Sequence, residues 1–219
     1  MKLPEFTLRN IIESGISHLK DDLTSSTSQE DTILYSLFGG EKGDDDLDLF
    51  EESRKIFTRK PSDEREIKVR LFFNRSKANL PSIHITSPSE MGGPNGLGVD
   101  QGFEEEILSK DGKSSYATYN RAFSTTFNLM ITSDSQTETL IIFHTLKAFL
   151  VSIMDTLELS GLHDVKLSSG DLNFNEELAP PNTFIKYIGI NFYYDVSVKR
   201  WFSDIIINNI VSNGQAGQQ

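Results

Sequence analysis

Four histidines, His18, His84, His144 and His163, are the side chains of this 219-residue sequence best suited to proton transfer near neutral pH. No two of them stand four residues apart, so the paired-histidine helix of a zinc hydrolase is missing. His84 precedes Glu90, and a glycine-rich stretch, MGGPNGLGVDQG from Met91 to Gly102, follows directly. A histidine, a carboxylate and such a loop could line a pocket. One reading is therefore a soluble α+β enzyme or ligand-binding domain using His84, Glu90 and the glycine-rich loop. The loop lacks the Gly-Lys-Ser/Thr ending of a phosphate cradle, and Val99-Asp100-Gln101-Gly102 follows where a helix should start. A surface loop between strands is the expectation instead. No GxSxG elbow occurs. The chain has no cysteine, which removes disulfides, thiolate catalysis and cysteine-ligated zinc together. No catalytic residue, metal or cofactor is expected.

The other chemically loaded stretch is acidic. Asp44, Asp45, Asp46 and Asp48 stand among seven acidic residues between Glu41 and Glu52. A calcium loop begun at Asp44 would need glycine at its sixth position and glutamate at its twelfth. The sequence has Leu49 and Lys55 there. A solvated acidic face, turned to a partner or to a lumen, is the expected role. The formal net charge of −11 disfavours non-specific contact with nucleic-acid phosphates or anionic lipid. The opening MKLPEFTLRN carries no apolar core of a signal peptide, so none is expected. The most apolar run, Leu140 to Leu157, is interrupted by His144, Lys147 and Asp155, so no membrane span is expected.

These residues need a scaffold. Pro4 to Leu23 has helical apolar spacing, and Gly15 within it makes the helix dependent on tertiary contacts. Thr24 to Pro61 reads as an irregular, acidic arm. It holds an apolar patch at Ile33 to Phe38 and a short amphipathic helix marked by Leu47, Phe50 and Ile56. Strand alternation marks Glu66 to Phe73, Leu80 to Thr86, Ser115 to Thr132 and Phe184 to Val198. A long helix is expected between the last two. Ser133 with Gln136, or Ser135 with Glu138, fits a capping box at its start, and Gly161 suits its end near Leu159. Two short strands, His163 to Leu167 and Asp171 to Asn175, are expected around a turn at Ser168 to Gly170. The order implies an α+β fold: an antiparallel or mixed sheet packed against one long helix, with an N-terminal helix and an acidic arm. The corresponding divisions are residues 1–61 (helix and arm), 62–202 (core domain) and 203–219 (C-terminal segment and polar tail).

The long helix has more apolar surface than one buried stripe requires. Leu146, Phe149, Leu150, Ile153, Met154 and Leu157 make the stripe, while Ile142, Phe143, Ala148 and Val151 fall outside it. Such excess must be covered by residues 1–60 or by a neighbouring subunit. Ile142, Phe143 and Val151 are thus candidate interface residues. Trp201, Phe202, Ile206 and Ile210 near the C-terminus join them, as does the Met91–Gly102 loop.

Four segments carry a family resemblance: LPSIHITSPSE (Leu80 to Glu90), TFNLMITSD (Thr126 to Asp134), LELSGLHDVKL (Leu157 to Leu167) and FIKYIGINFYYDVSVKRWF (Phe184 to Phe202). In phrasing and order they resemble the tail-terminator and head-to-tail neck (connector, ring) proteins of tailed bacteriophages. The resemblance covers about Glu66 to Phe202 plus a leading helix. It implies a non-catalytic virion protein of the neck or tail. Such a protein forms a homo-oligomeric ring, hexamer or dodecamer, that contacts portal, neck or tail-tube proteins. Its central channel passes DNA without sequence-specific binding. In that setting Asp44, Asp45, Asp46 and Asp48 would face the lumen or clasp a neighbouring ring. A third reading is a cellular adaptor that binds its partner through the acidic arm.

Overall fold

Helix α1, Pro4–Ser25, buries Leu8, Ile12, Gly15 and Leu19 along one side, which is the spacing of a single helical stripe. The computed structural model describes residues 3–71, 80–92, 106–108, 115–171 and 183–202. The chain divides into two compact units, one built from 2–90 and 125–192, the other mainly from 91–124 and 193–219.

In the first unit the acidic arm is not irregular. It folds as two short helices, α2 (Ile33–Phe38) and α3 (Leu49–Phe57). Thr32 caps α2 by accepting from the Tyr35 N–H, and Asp48 caps α3 by accepting from the Glu51 N–H. Leu34, Phe38, Phe50, Ile56 and Phe57 are buried, and the Tyr35 and Phe50 rings meet edge to face at 5.1 Å. These helices pack on one another, on α1 and on the long helix. The boundary expected at residue 61 therefore falls inside one shared core.

The strands are β1 (Lys68–Arg70), β2 (Ser82–Gly92), β3 (Glu106–Leu108), β4 (Ser115–Ser133), β5 (Leu162–Asp171) and β6 (Phe184–Phe202). Their order across the sheet is β1-β2-β4-β6-β5, with β3 paired to β4. β1 and β2 are parallel, Val69 opposite Ile83. Ser82 meets Thr132 and Thr86 meets Asn128, so β2 and β4 run antiparallel. Asn191 reaches Thr126 on β4, and Lys186 reaches Asp171 on β5, while Gly189 lies beside Asn128 and Ser168. β6 is thus antiparallel to both neighbours, and the sheet is mixed. The fold is α+β, as expected.

This register places Ile83, Ile85, Phe127, Leu129, Ile131, Ile188, Ile190 and Phe192 on one face, all buried. Phe127 and Phe192 stack with centroids 5.5 Å apart. Over that face lie α1, α3 and the long helix: Ile12, Phe57, Ile67, Ile83, Ile142 and Phe149 converge at one contact.

The long helix ends early. α4 spans Gln136–Ser152 and a separate turn, α5, spans Met154–Leu159. Val151, Ser152 and Ile153 are weak helix formers, and the Ser152 hydroxyl donates back to the Phe149 carbonyl (2.7 Å). Ile153 leaves the helix at φ −108°, ψ 12°. Gly161 then takes φ +98°, the left-handed region where glycine avoids a Cβ penalty, and Leu162 is buried behind it. The turn expected at Ser168 to Gly170 does not form, since β5 runs straight through it to Asp171. Strand 66–73 is reduced to Lys68–Arg70 among the described residues, whereas β2 continues past Thr86 to Gly92.

In the second unit β3 pairs antiparallel with β4, Ile107 opposite Tyr116, and the Phe123 and Tyr194 rings lie 6.1 Å apart.

Candidate functional site

Three groupings of polar or exposed apolar side chains stand out in the first unit. The first is an ion network at the start of α4. Ser135 accepts from the Glu138 N–H (3.3 Å), the first half of the capping box. The Glu138 side chain does not complete the box. It turns inward, almost fully buried, and accepts from Arg59 (2.5 Å), Arg65 (2.7 Å) and the Ser133 hydroxyl. Arg65 also grips Asp134 through two bonds of 3.0 and 2.7 Å, and Arg59 donates to the Arg65 carbonyl (2.8 Å). The hydrogen bonds from Arg65 hold the Asp134 carboxyl below its ordinary range, and Asp134 in turn raises Arg65. The network ties the 59–65 segment leading into β1 to the N-terminus of α4.

The second is a buried polar ladder. Ser82 Oγ lies 2.8 Å from His84 Nε2 and 2.8 Å from Thr132 Oγ1, and Thr132 donates to the Ser82 carbonyl. All three residues are buried. A serine beside a histidine is the raw material of nucleophilic catalysis. Here, however, the serine is shared with a neighbouring threonine and lies inside the sheet. His84 and Glu90 both lie on β2, and the rest of the glycine-rich loop read beside them lies outside the described residues. Six positions along one extended strand separate them by about 20 Å.

The third is a groove of about 660 Å³ between α2 and α4. Leu37, Phe38, Leu49, Leu140, Ala148 and Val151 line it together with the polar Glu41, His144, Lys147 and Ser152. Lys147 and Lys186 both approach the Phe143 ring, at 5.9 and 5.3 Å from its centroid. Lys186 is paired with Asp171 (2.5 Å). Lys147 makes no ion pair among the described residues and donates only to the Ser169 hydroxyl, at 3.3 Å. Partial burial, then Lys147 and Lys186, push His144 below the ordinary imidazole value.

The expected interface residues separate cleanly. Ile142 and Phe143 are buried within the chain, covered by the α1 and α3 side and by the two lysines, so neither can meet a second subunit. That corrects their assignment: coverage by the first 60 residues removes most of the excess. Val151 stays 55% exposed on the groove. Trp201 and Phe202 lie at the end of β6, with side chains outside the described residues. Ile206 and Ile210 lie outside them as well, as does the glycine-rich loop beyond Gly92. Met91, expected in that loop, is the exposed end of β2.

The acidic run forms a small closed turn. Lys42 and Asp48 pair as an antiparallel backbone β-bridge, the Lys42 ammonium pairs with Asp46 (3.3 Å), the Gly43 N–H donates to the Leu47 carbonyl (2.8 Å), and the Leu49 N–H donates to the Glu41 carbonyl (3.2 Å). A single 3-10 turn, Asp44–Asp46, makes the tip. Asp44, Asp46 and Asp48 are exposed; Asp45 shares the tip, and its side chain is outside the described residues. Among the described residues no cluster of three or more metal-binding side chains occurs. No described helix is long and apolar enough to cross a membrane.

No family model matches the sequence, and no curated protein matches it. The surfaces therefore have to be read from their own chemistry. Sequence reasoning missed Arg59, Arg65 and Lys147. The one signal available was Glu138 at the third helical position, where a carboxylate is expected to be engaged.

Proposed function

We propose that this protein is a structural component of a tailed-phage virion, forming a ring in the neck or at the tail end that joins head to tail and passes DNA. The observation that carries the reading is the order and length of the elements between Ser82 and Phe202. Two strands of 19 residues, β4 and β6, enclose in sequence the helices α4 and α5 and the strand β5. They coincide with the segments through which the sequence resembles neck and tail-terminator proteins. Function in such a protein is docking, with no catalytic step. A ring requires each copy to present two different surfaces that fit one another.

The test is the native mass of the purified chain by analytical ultracentrifugation, with negative-stain images of any large species. Closed hexamers or dodecamers with a pore wide enough for duplex DNA are the expected result. A chain that stays monomeric, and also fails to bind purified capsids or tail tubes, overturns the reading.

A further inference from the structure

We propose that the open edge of β1 binds an extended acidic segment of a partner protein, which joins the sheet as a further strand. The proposal goes beyond the assembly reading and needs no second copy. β1 ends one side of the sheet, and among the described residues only β2 pairs with it. In a parallel ladder the N–H and C=O of one residue face one neighbour, and those of the next residue face the other side. The Lys68 N–H donates to the Pro81 carbonyl (3.4 Å), so the backbone groups of Lys68 and Arg70 are turned to β2. Those of Val69 are turned away from it and meet no partner among the described residues. A backbone edge of this kind is matched by another extended backbone.

The groove in front of that edge selects by charge. It measures about 630 Å³ and lies between β1 and α1. Its lining holds Arg9, Lys20, Lys68 and Arg70 against Glu13 and Glu66. Both carboxylates are already answered, Glu13 by Arg9 (2.9 Å) and Glu66 by Lys20 (3.3 Å). The positive surplus therefore sits on β1 itself, and Arg70 has no ion pair among the described residues. Short, charged edge strands keep apolar strands off. The same cations favour a segment of opposite sign. The described acidic stretches of this chain are engaged elsewhere: the Glu41 to Leu49 turn is closed by its own hydrogen bonds, and Glu106 lies in β3, paired to β4. The occupant accordingly belongs to another protein. β1 is three residues long, so the contact is small and a Kd on the order of 100 µM is expected.

The experiment is fluorescence anisotropy of the full chain with a short labelled peptide alternating glutamate and valine, and with its lysine–valine counterpart as control. Two variants probe the site. Arg70→Glu reverses the charge. Val69→Pro removes the outward N–H and leaves the ladder to β2 intact, since an edge strand accepts proline where the missing N–H faces away. Circular dichroism with an unfolding curve checks that each variant folds. The acidic peptide should bind at least about tenfold more tightly than the basic one, and each variant should weaken it about fivefold or more. On binding, the Val69 amide of the wild-type chain should become protected from hydrogen exchange, a readout that depends on neither variant. Binding that ignores Arg70→Glu, or that leaves the Val69 amide unprotected, overturns the proposal, as does no binding at about 1 mM. Sedimentation of the chain alone is the last arm: self-association abolished by Arg70→Glu would make the occupant a second copy and overturn the assignment to a partner protein.

Discussion

Glu138 is a buried carboxylate held by two arginines and a hydroxyl. Its burial costs desolvation, and the partners offset that cost only as a set. Glu138→Ala leaves Arg59, itself largely buried, without a counter-charge. Removing one member of a buried pair typically destabilises by about 3–5 kcal/mol. A urea unfolding curve should show a loss near the lower end of that range, because Arg65 keeps Asp134. A variant within about 0.5 kcal/mol of wild type would mean that water replaces the network. The neighbouring pair gives a pH signature. Asp134 has a folded pKa below its unfolded one, so it stabilises the fold above the ordinary carboxylate value and loses that contribution as pH falls through the folded value. His144 is also depressed and acts in the same direction: the unfolded state takes its proton first, so stability falls as pH drops through the ordinary imidazole range. Two steps of acid destabilisation are expected, one around pH 6 and one below about pH 4. Asp134→Asn should reduce the lower step alone. The Asp134 side chain is half exposed, so solvent screening keeps that step small.

At the scale of elements, α1 and α4 meet through a glycine. A Cβ built on Gly15 would lie 2.4 to 2.8 Å from three ring atoms of Phe149, so the ring packs where an alanine methyl would sit. Gly15→Ala gains helix propensity, up to about 1 kcal/mol, and meets overpacking worth about 1–3 kcal/mol. A net loss near 1 kcal/mol is expected, with recovery when Phe149→Leu is added; equal stabilities for single and double variants would show that the ring simply swings aside. The contact also marks how far the sequence could be read. The greasy character of α4, the Ser135 cap, Gly161 and the long alternation of β4 and β6 are all local patterns, and each appears in the fold. What covers α4 is not local. Ile142 and Phe143 looked like spare interface because their partners stand in α1, α3 and β6, far away in sequence. Helix α3 is legible in Phe50 and Ile56, whereas α2, six residues long, is too short to show a full apolar period. The helix break at Ile153 was legible in hindsight as three weak helix formers in a row, outweighed by the apolar stripe that continues to Leu157. Strand β5 read as two pieces because serines and glycine punctuate it, yet pairing to β6 holds it extended.

At the scale of the whole molecule, charge sets what the surface can tolerate. The chain carries 32 acidic and 21 basic residues, and several basic ones are committed to carboxylates: Arg59 and Arg65 to Glu138, Lys186 to Asp171, Lys20 to Glu66. Binding to duplex DNA depends on free cations that displace condensed counterions from phosphates. A surface of this sign offers few, and the exposed Asp44, Asp46 and Asp48 repel the backbone. A wall of such surfaces would let DNA slide past rather than hold it, which is what a conduit requires. The consequence can be measured on the isolated chain, whatever its assembly state. In fluorescence anisotropy with a labelled duplex of about 20 base pairs at about 0.1 M salt, no binding is expected up to about 100 µM protein. Neutralising the turn with Asp44→Asn and Asp46→Asn should leave that result unchanged, because the remaining net charge is still strongly negative. Micromolar binding with a steep salt dependence would mean that the cations gather on one face despite the net balance, and that this face holds nucleic acid instead of releasing it.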